Sequence, residues 1–469
     1  MSTVAQSGVE LKPGATERLA AGRALRDQVP RSSHSAWTAP PDRADPLAIL
    51  ENTCAGRVGA LLPLRNARML ESPFAFYRGS ADIMAADLAR TPVTGLRVQL
   101  CGDAHCLNFG AFATPERRVI FDVTDFDETT PGPWEWDLKR LAVSLALAAR
   151  SIKLKDTSAA TAVIAAARSY RTKMLEYATA TVLATWYVRI DAASVMLESS
   201  PDYRRRQKQI ADNAHAHSMR SAIDRLTVRT GAVRRFRDEP PLLFHPSDEQ
   251  SSEFAIARVL QAYAQSLTPE VRVLFDRYEL VDQAIKVVGV GSVGTRCAVA
   301  LLQADVDDAL ILQIKQATAS VLEPHTGASA FANHGQRVVH GQRLMQRASD
   351  ALLGWGTSGA HDYYVRQLAD KKGAVNIAAL DGLGLREYAY LCGWTLARAH
   401  ARSGDPAGIA GYLGKGDTFD KALVRFAALY ADQAEHDYVT FRAAAEAGKI
   451  PLPARTPAAP PRPLKNGSA

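Results

Sequence analysis

The sequence is poor in cysteine. It has five, scattered at Cys54, Cys101, Cys106, Cys297 and Cys392. The number is odd and no pair has C-x-x-C spacing, so neither a disulfide framework nor a zinc ribbon is indicated, and a reducing compartment fits. Long apolar runs are lacking too. No stretch of about 18 apolar residues is present to form a membrane span. The opening MSTVAQSGVELKPGATERLAAGR has no apolar core of a secretory signal. A cytoplasmic protein without a membrane partner is expected. There is no internal repeat and no strong excess of one charge. The formal charge of +7 over 469 residues is a mild basic balance that favours anionic ligands only weakly.

What is present is an ordinary globular composition, 47% hydrophobic, sufficient for a packed core. The length fits two or three domains, or one large two-lobed unit. Residues 1–45 mix Ser, Pro, Ala and charge without periodicity and are expected to be disordered. Residues 451–469, rich in Pro and Ala, are expected to be a flexible tail.

Between these ends, LAILENT and SPFAFYRGSADIMAADLA read as helical pieces. LRVQL reads as a strand, and VIFDVTDFDE as a strand that runs into its acids. A helix is expected from near Trp136 through DLKRLAVSLALAARS, and residues 157–230 read as helical. The Arg-rich stretch 203–237 reads as a solvated helix face, with an anionic substrate or nucleic acid as the alternative. From Tyr278, YELVDQAIKVVGVG, TRCAVALL and DALILQIKQA are strand-like, and so is DYYVRQL later on. Helices are expected at 336–353, in REYAYLCGWTLARAHARS and at 420–446. This divides the chain into a catalytic-loop and helical block (46–277), a β-rich block (278–370) and a returning helical segment (371–450), an α+β fold.

CGDAHCLNFG places Asp103, His105 and Asn108 together, and the following run delivers Asp122, Asp125, Asp127 and Glu128. Alternation along a strand puts Asp125 and Asp127 on one face, with Phe126 on the other. Like charges so crowded repel and raise one another's pKa, a penalty that a bound cation removes. Carboxylate and amide oxygens suit magnesium. Phosphoryl transfer uses such a set: a carboxylate to accept the proton of the attacking hydroxyl, and an Asn and an Asp to hold metal over phosphates. Asp103 would be the base, with His105 beside it and Asn108, Asp125 and Asp127 at the metal. The structural alternative is a loop in which Asp, His and Asn make caps and turns.

Asp103-Ala104-His105-Cys106-Leu107-Asn108, then Asp125-Phe126-Asp127, then Asp137-Leu138 resemble the catalytic run of the aminoglycoside and choline phosphotransferases, members of the kinase-like superfamily. The resemblance implies that Asp103 is the catalytic base, that Asn108 and Asp125 bind magnesium, and that Asp137 is mainly structural. Cys101 stands where those enzymes usually carry a His of packing function. From about residue 45 to 445 the chain also resembles a bacterial family known as domain of unknown function 2252. The matching runs are SPFAFYRGSADIMAADLA, QLCGDAHCLNFG, FDVTDFDETTPGPWEWDLKRLA, VVGVGSVGTRC, YYVRQLADKKG and LARAHARSGD. That resemblance implies no particular activity.

Gly289-Val290-Gly291-Ser292-Val293-Gly294 is a G-x-G-x-x-G. A dinucleotide site would follow it with a helix; here a β-like run follows, and Lys315 lies on the next strand. That is the order of a kinase glycine loop and its lysine. Gly289, Gly291, Ser292 and Gly294 would cradle phosphates, with Lys315 neutralising them. Glu323 is the acid offered as the lysine's partner. The competing reading is a hairpin with glycines for turn geometry.

In ordinary kinases the glycine loop precedes the catalytic Asp, whereas here it follows. The expectation is therefore a kinase-like two-lobed fold, circularly permuted, with a large helical lobe. A rival in normal order makes His400, Arg402 and Asp405 of HARSGD the catalytic loop. Arg78 and Arg140 are cleft candidates or structural ion-pair partners. The functions weighed are an ATP- and magnesium-dependent phosphotransferase acting on a small-molecule or protein acceptor, a nucleotide-binding pseudokinase or scaffold, and a metal-dependent hydrolase using Asp103, His105, Asp125 and Asp127. Nucleic acid is not expected as a partner.

Overall fold

The computed structural model describes residues 13–191, 219–247, 255–287, 289, 291, 293–368 and 373–453. The fold is α+β. In chain order the first elements are α1 (Ala15–Gln28), α2 (Pro46–Cys54), α3 (Leu62–Met69), α4 (Pro73–Arg78) and α5 (Ala81–Leu88). Strands β1 (Arg97–Leu100), β2 (Phe109–Ala113), β3 (Val119–Val123) and β4 (Thr130–Pro133) follow. Then come α6 (Trp134–Ser151), α7 (Asp156–Thr179), α8 (Val182–Tyr187) and α9 (Met219–Leu226). The second half holds β5 (Thr227–Thr230), β6 (Val233–Phe236), β7 (Leu243–Phe244), α10 (Ile256–Ser266), α11 (Pro269–Phe275), β8 (Glu279–Lys286), β9 (Cys297–Gln303) and β10 (Ala309–Ala317). After these come α12 (Glu323–Thr326), α13 (His334–Met345), β11 (Gly354–Ser358), β12 (His361–Gln367), β13 (Gly373–Ala374), α14 (Gly382–Ser403), α15 (Pro406–Leu413) and α16 (Thr418–Glu446). Among the described residues no helix is long and apolar enough to cross a membrane.

The largest sheet has the order β11-β12-β10-β9-β8-β7, with every neighbouring pair antiparallel. Both of its faces are covered, which explains the nearly unbroken apolar run of β9. Ala298, Ala300 and Leu302 face α10 through Ile256, Val259 and Tyr263, while Val299 and Leu301 pack with Ile223, Leu226 and Phe236 on the other side. Alternate residues of a strand face opposite ways, so a doubly covered strand reads as continuous hydrophobe. The antiparallel β8–β9–β10 succession also places the three runs read as strands side by side.

The other core is helical. It gathers α6, α7, α14 and α16 with β1 and the loop that follows it. Helix α6 is buried along its whole length from Trp134 to Ala149, charged residues included. Each of those charges therefore needs an internal partner. Asp137 accepts from the backbone N–H of Cys101 (2.8 Å) and Gly102 (3.0 Å), and faces His400 Nε2 at 3.2 Å. Glu135 accepts from Thr94 N–H (2.8 Å) and Oγ1 (2.6 Å).

Lys139 is the exception. Its Nζ is buried without a hydrogen-bond partner and sits 4.9 Å from the Phe426 ring centroid. Burial pushes the Lys139 amine down to about 7, with Glu135 acting in the opposite direction. The folded chain thus binds fewer protons here than the unfolded chain between about pH 7 and the ordinary lysine value. This group makes stability rise with pH through that window, with its full penalty below it. Lys139→Met removes a buried amine that has no hydrogen-bond partner and is expected to raise the melting temperature, by a free energy on the order of 1–3 kcal/mol. The gain should be largest below about pH 7 and fade toward alkaline pH, as thermal melts across that range will read.

Several expectations are corrected. Residues 1–45 were expected to be disordered, but α1 is a helix docked on α15. A Cβ at Gly22 would lie 2.0 Å from the Gly408 carbonyl oxygen, so only glycine allows this approach. The Arg26 and Arg31 guanidiniums donate to the carbonyls of Tyr412 and Leu413, and buried His34 meets the Tyr412 hydroxyl at 2.8 Å. Small residues and arginines made the segment look featureless, and its partner lies at the far end of the chain. The helical reading of 157–230 fails at its end, where β5 and β6 form a hairpin turning at Gly231 (φ +65°). Residues 203–218 of the Arg-rich stretch lie outside the described residues. The sheet also starts earlier than residue 278, since β7 pairs with β8.

Candidate active site

The loop after β1 turns at Gly102, whose φ is +87°. A Cβ there would lie 2.1 Å from the Glu128 carbonyl oxygen, so a side chain is excluded both by conformation and by space. The turn is fastened from below by Asp137, and His400 behind it is fastened by the Tyr170 hydroxyl at 2.8 Å from Nδ1. Asp103 follows. Its Oδ1 accepts from Arg140 (2.8 Å), and Arg140 also donates to the Tyr77 carbonyl (2.7 Å) and lies over the Tyr77 ring at 3.8 Å. Asn108 donates its amide to the Asp103 carbonyl (2.8 Å). Burial pushes the Asp103 carboxyl above the usual carboxylate range, and Arg140 opposes that shift. His105 is buried, with Nε2 3.7 Å from Asp103 Oδ2. Burial, then the Arg78 and Arg140 cations, holds it well below the ordinary imidazole value, so the ring is neutral at neutral pH.

Strand β3 stops at Val123, short of the acids, and Asp125 and Asp127 stand on the turn beyond it. The expected strand through Asp127 is thus corrected. Phe126 is buried in the helical core and anchors the turn, leaving its two neighbours on the cavity side. Asp125 Oδ1 accepts from the Asp127 N–H (3.2 Å). Asp127 is ion-paired with Lys315 of β10 and accepts from the Tyr364 hydroxyl of β12 (2.8 Å). Burial acts to lower the Lys315 amine, but Asp125 and Asp127 hold it well above the ordinary lysine value. For Asp127, burial acts upward and the Lys315 ammonium outweighs it; Asp125 is raised by burial and then by Asp127. Arg337 of α13 braces the turn from behind, donating to the carbonyls of Thr129 (2.6 Å), Asp127 (2.8 Å) and Thr318 (2.7 Å).

The glycine turn between β8 and β9 closes over this group. Arg57 donates to the carbonyls of Gly291 (3.0 Å) and Val293 (2.7 Å), and the Val58 N–H donates to the Gly294 carbonyl (2.7 Å). A cavity of about 230 Å³ results, lined by Asp103, His105, Asn108, Asp125, Asp127 and Glu128 from the first half of the chain. Gly289, Gly291, Gln313, Lys315 and Arg366 line it from the second half, and Arg57, Arg78 and Asp82 complete it. Glu128 is pushed up to about 7 by burial. Among the described residues no three His, Cys, Asp or Glu side chains form a set that could hold a metal ion by themselves.

A family model described as "Uncharacterized protein conserved in bacteria (DUF2252)" matches residues 57–444, well over half of the sequence. The chain belongs to this family. No curated protein and no solved structure gives a match.

The matched region of the DUF2252 chain contains every residue lining the cavity except Thr53. Asp103, His105, Asn108, Asp125, Asp127, Gly289, Gly291 and Lys315 come together there. Gly294 lies beside Arg57, whose Cβ would be 3.1 Å from an added Cβ, and Ser292 lies outside the described residues. Glu323 does not meet Lys315. It accepts from the Ser320 N–H (3.0 Å) and lies 3.6 Å from Arg337, while Lys315 is taken by Asp127. The rival HARSGD loop is also corrected: His400 is wholly buried behind the site, and Asp405 caps α15 and pairs with Arg18. Asp122 is no site residue either; it is buried against Arg398.

Arg57, Gln313, Tyr364 and Arg366 were missed by the sequence reading. Tyr364 and Arg366 stand two apart in DYYVRQL and so share one strand face. A charge and a phenol on the face opposite Tyr363 and Val365 was a usable signal. Nothing in the sequence marks Arg57, whose role depends on a contact across 234 residues.

Proposed function

We propose that this protein is an ATP- and magnesium-dependent phosphotransferase of circularly permuted kinase-like architecture, acting on a small-molecule or protein acceptor. The observation that carries this reading is the meeting of Lys315 with Asp127 in one cavity with Asp103, Asn108 and the glycine turn. In support, a strand, a glycine turn, a second strand and a lysine on the third is the order of a kinase small lobe. Those three strands are neighbours in the sheet. Permutation is the natural account of the chain order, because the chemistry depends on where groups stand in space.

The residues divide the work. Glycine N–H groups receive phosphate oxygens; nothing within 4 Å occupies the space that a side chain at Gly289 would take. Lys315 neutralises phosphate charge once it exchanges Asp127 for the nucleotide. Asp103 Oδ2 accepts the proton of the acceptor hydroxyl. The acceptor oxygen bonds to the γ-phosphorus, the bond from that phosphorus to the bridging oxygen breaks, and ADP leaves with the electron pair.

The donor set fits magnesium. Asn108 spends its N–H on the Asp103 carbonyl, leaving its oxygen as ligand, and Asp125 and Asp127 add carboxylates. Magnesium is commonly bound by one or two carboxylates with phosphate oxygens and water, so no cage made of protein alone is required. When bound, the ion would neutralise charge on the phosphates.

The test is thermal stabilisation. With magnesium and ATP at about a hundred times the dissociation constant, stability should rise by about 2.7 kcal/mol, and Lys315→Ala should abolish the shift. If neither ATP nor another nucleotide moves the melting temperature in magnesium, the reading fails.

A further inference from the structure

The cations of the cavity are not equivalent. Lys315 is paired with Asp127, and Arg57 is committed to the carbonyls of the glycine turn. Arg366 donates to Gln313 Oε1 (3.2 Å) and reaches the Thr124 carbonyl (3.4 Å). Behind Asp103, Arg140 is saturated by Asp103, Tyr77 and a sulfur contact to Met84. Arg78 differs. It lines the cavity, its Nε is buried without a hydrogen-bond partner, and among the described residues it makes no hydrogen bond or ion pair. It rests only on the Phe74 ring, 5.9 Å from the centroid, at the last turn of α4.

The surroundings of Arg78 lack a counter-ion in contact. Asp103 directs Oδ1 to Arg140, and Asp82 is occupied by the Thr53 hydroxyl and the Ile83 N–H (3.0 Å). His105 stands nearby as a neutral ring. A guanidinium half-withdrawn from water, with its donors unspent, is costly unless something completes it. Its planar fork matches a carboxylate or a phosphate, two oxygens to two N–H groups.

We propose that Arg78 binds an anionic group, phosphate or carboxylate, carried by the acceptor next to the hydroxyl that faces Asp103. The acceptor class is therefore a hydroxyl compound bearing its own negative charge, such as a phosphorylated or carboxylated polyol. This rests on the phosphotransferase reading for the word acceptor, but the anion site itself stands on Arg78 and is tested separately. The Arg78 cation acts on both Asp103 and His105, while its backbone carbonyl lies 3.4 Å from the place of a Cβ on Gly291. An acceptor anion on its side chain stands beside the Asp103 carboxylate, and the MgATP shift of an Arg78 variant separates it from a nucleotide phosphate.

The experiment measures melting temperature against inorganic phosphate, lactate and glycerol for the wild-type chain, Arg78→Ala, Arg78→Lys and Lys315→Met. Phosphate or lactate is expected to stabilise wild type and Lys315→Met. In Arg78→Ala the anion should bind at least tenfold more weakly, with Arg78→Lys in between because it keeps the charge and loses the fork. Glycerol should do nothing. The larger of the phosphate and lactate shifts identifies the group. The MgATP shift of Arg78→Ala should equal that of wild type. Anion stabilisation that persists in Arg78→Ala overturns the proposal, and so does a loss of the MgATP shift in that variant, which would assign Arg78 to the nucleotide. If wild type gives no MgATP shift yet Arg78→Ala loses anion binding, the phosphotransferase reading has failed and the anion site remains.

Discussion

Asp103→Asn is expected to reduce ATP turnover by two to four orders of magnitude and to leave MgATP binding intact. Asn keeps an oxygen for the Arg140 guanidinium, which meets Asp103 Oδ1 at 2.8 Å, so the loop should hold its shape. What disappears is the basic oxygen on the other side, 3.7 Å from His105 Nε2. His105 is a poor substitute as base, because burial and the flanking arginines disfavour its protonated form. ADP release, measured alongside the nucleotide-induced melting shift, checks both halves of the expectation. Turnover within tenfold of wild type would remove Asp103 from the chemistry.

The second large effect is structural. Asp122 of β3 and Arg398 of α14 form an ion pair in which neither side chain reaches water, 1% and 0% exposed. Asp122 also accepts from the N–H of Val123 (2.8 Å) and Arg347 (3.1 Å), so it ties the acidic turn to both the helical core and the end of α13. Arg398 Nε and Nη1 have no other partner. Asp122→Ala therefore leaves a buried guanidinium with no counter-ion, at a cost of about 3–5 kcal/mol. Asp122→Leu combined with Arg398→Met should recover most of it, since removing both charges also removes their desolvation cost. Denaturant midpoints of the single and double variants decide the matter; a single-variant loss under about 1 kcal/mol would show the pair to be dispensable.

Local patterns were legible where one short segment contains the whole signal. The period of apolar residues marked α6, α14 and α16, and the short apolar runs of β9, β10 and β12 between turn residues marked the sheet strands. The spacing of Asp103, His105 and Asn108 survives in the structure because a single tight turn carries all three. The acids were found in sequence but misplaced in conformation: β-branched residues and alternation favoured a strand through Asp127, whereas burial of Phe126 bends the chain after Val123. The first segment was misread because α1 gains its stability from docking on α15, and the residues that permit it, Gly22 and Gly408, weaken a helix viewed in isolation.

By itself, then, the amino-acid sequence determined the α+β composition, the family, the clustering of carboxylates after Asp103 and the order of strand, glycine turn, strand and lysine-bearing strand, since each is written in short stretches of chain. Only the tertiary structure decided that Lys315 faces Asp127 and not Glu323, that Arg140 is spent on Asp103 while Arg78 is left open, and that Arg57 holds the glycine turn. Those are pairings between charges far apart in the chain. Their choice depends on which groups burial brings within a few ångströms and on which lose their water, and no local periodicity records that.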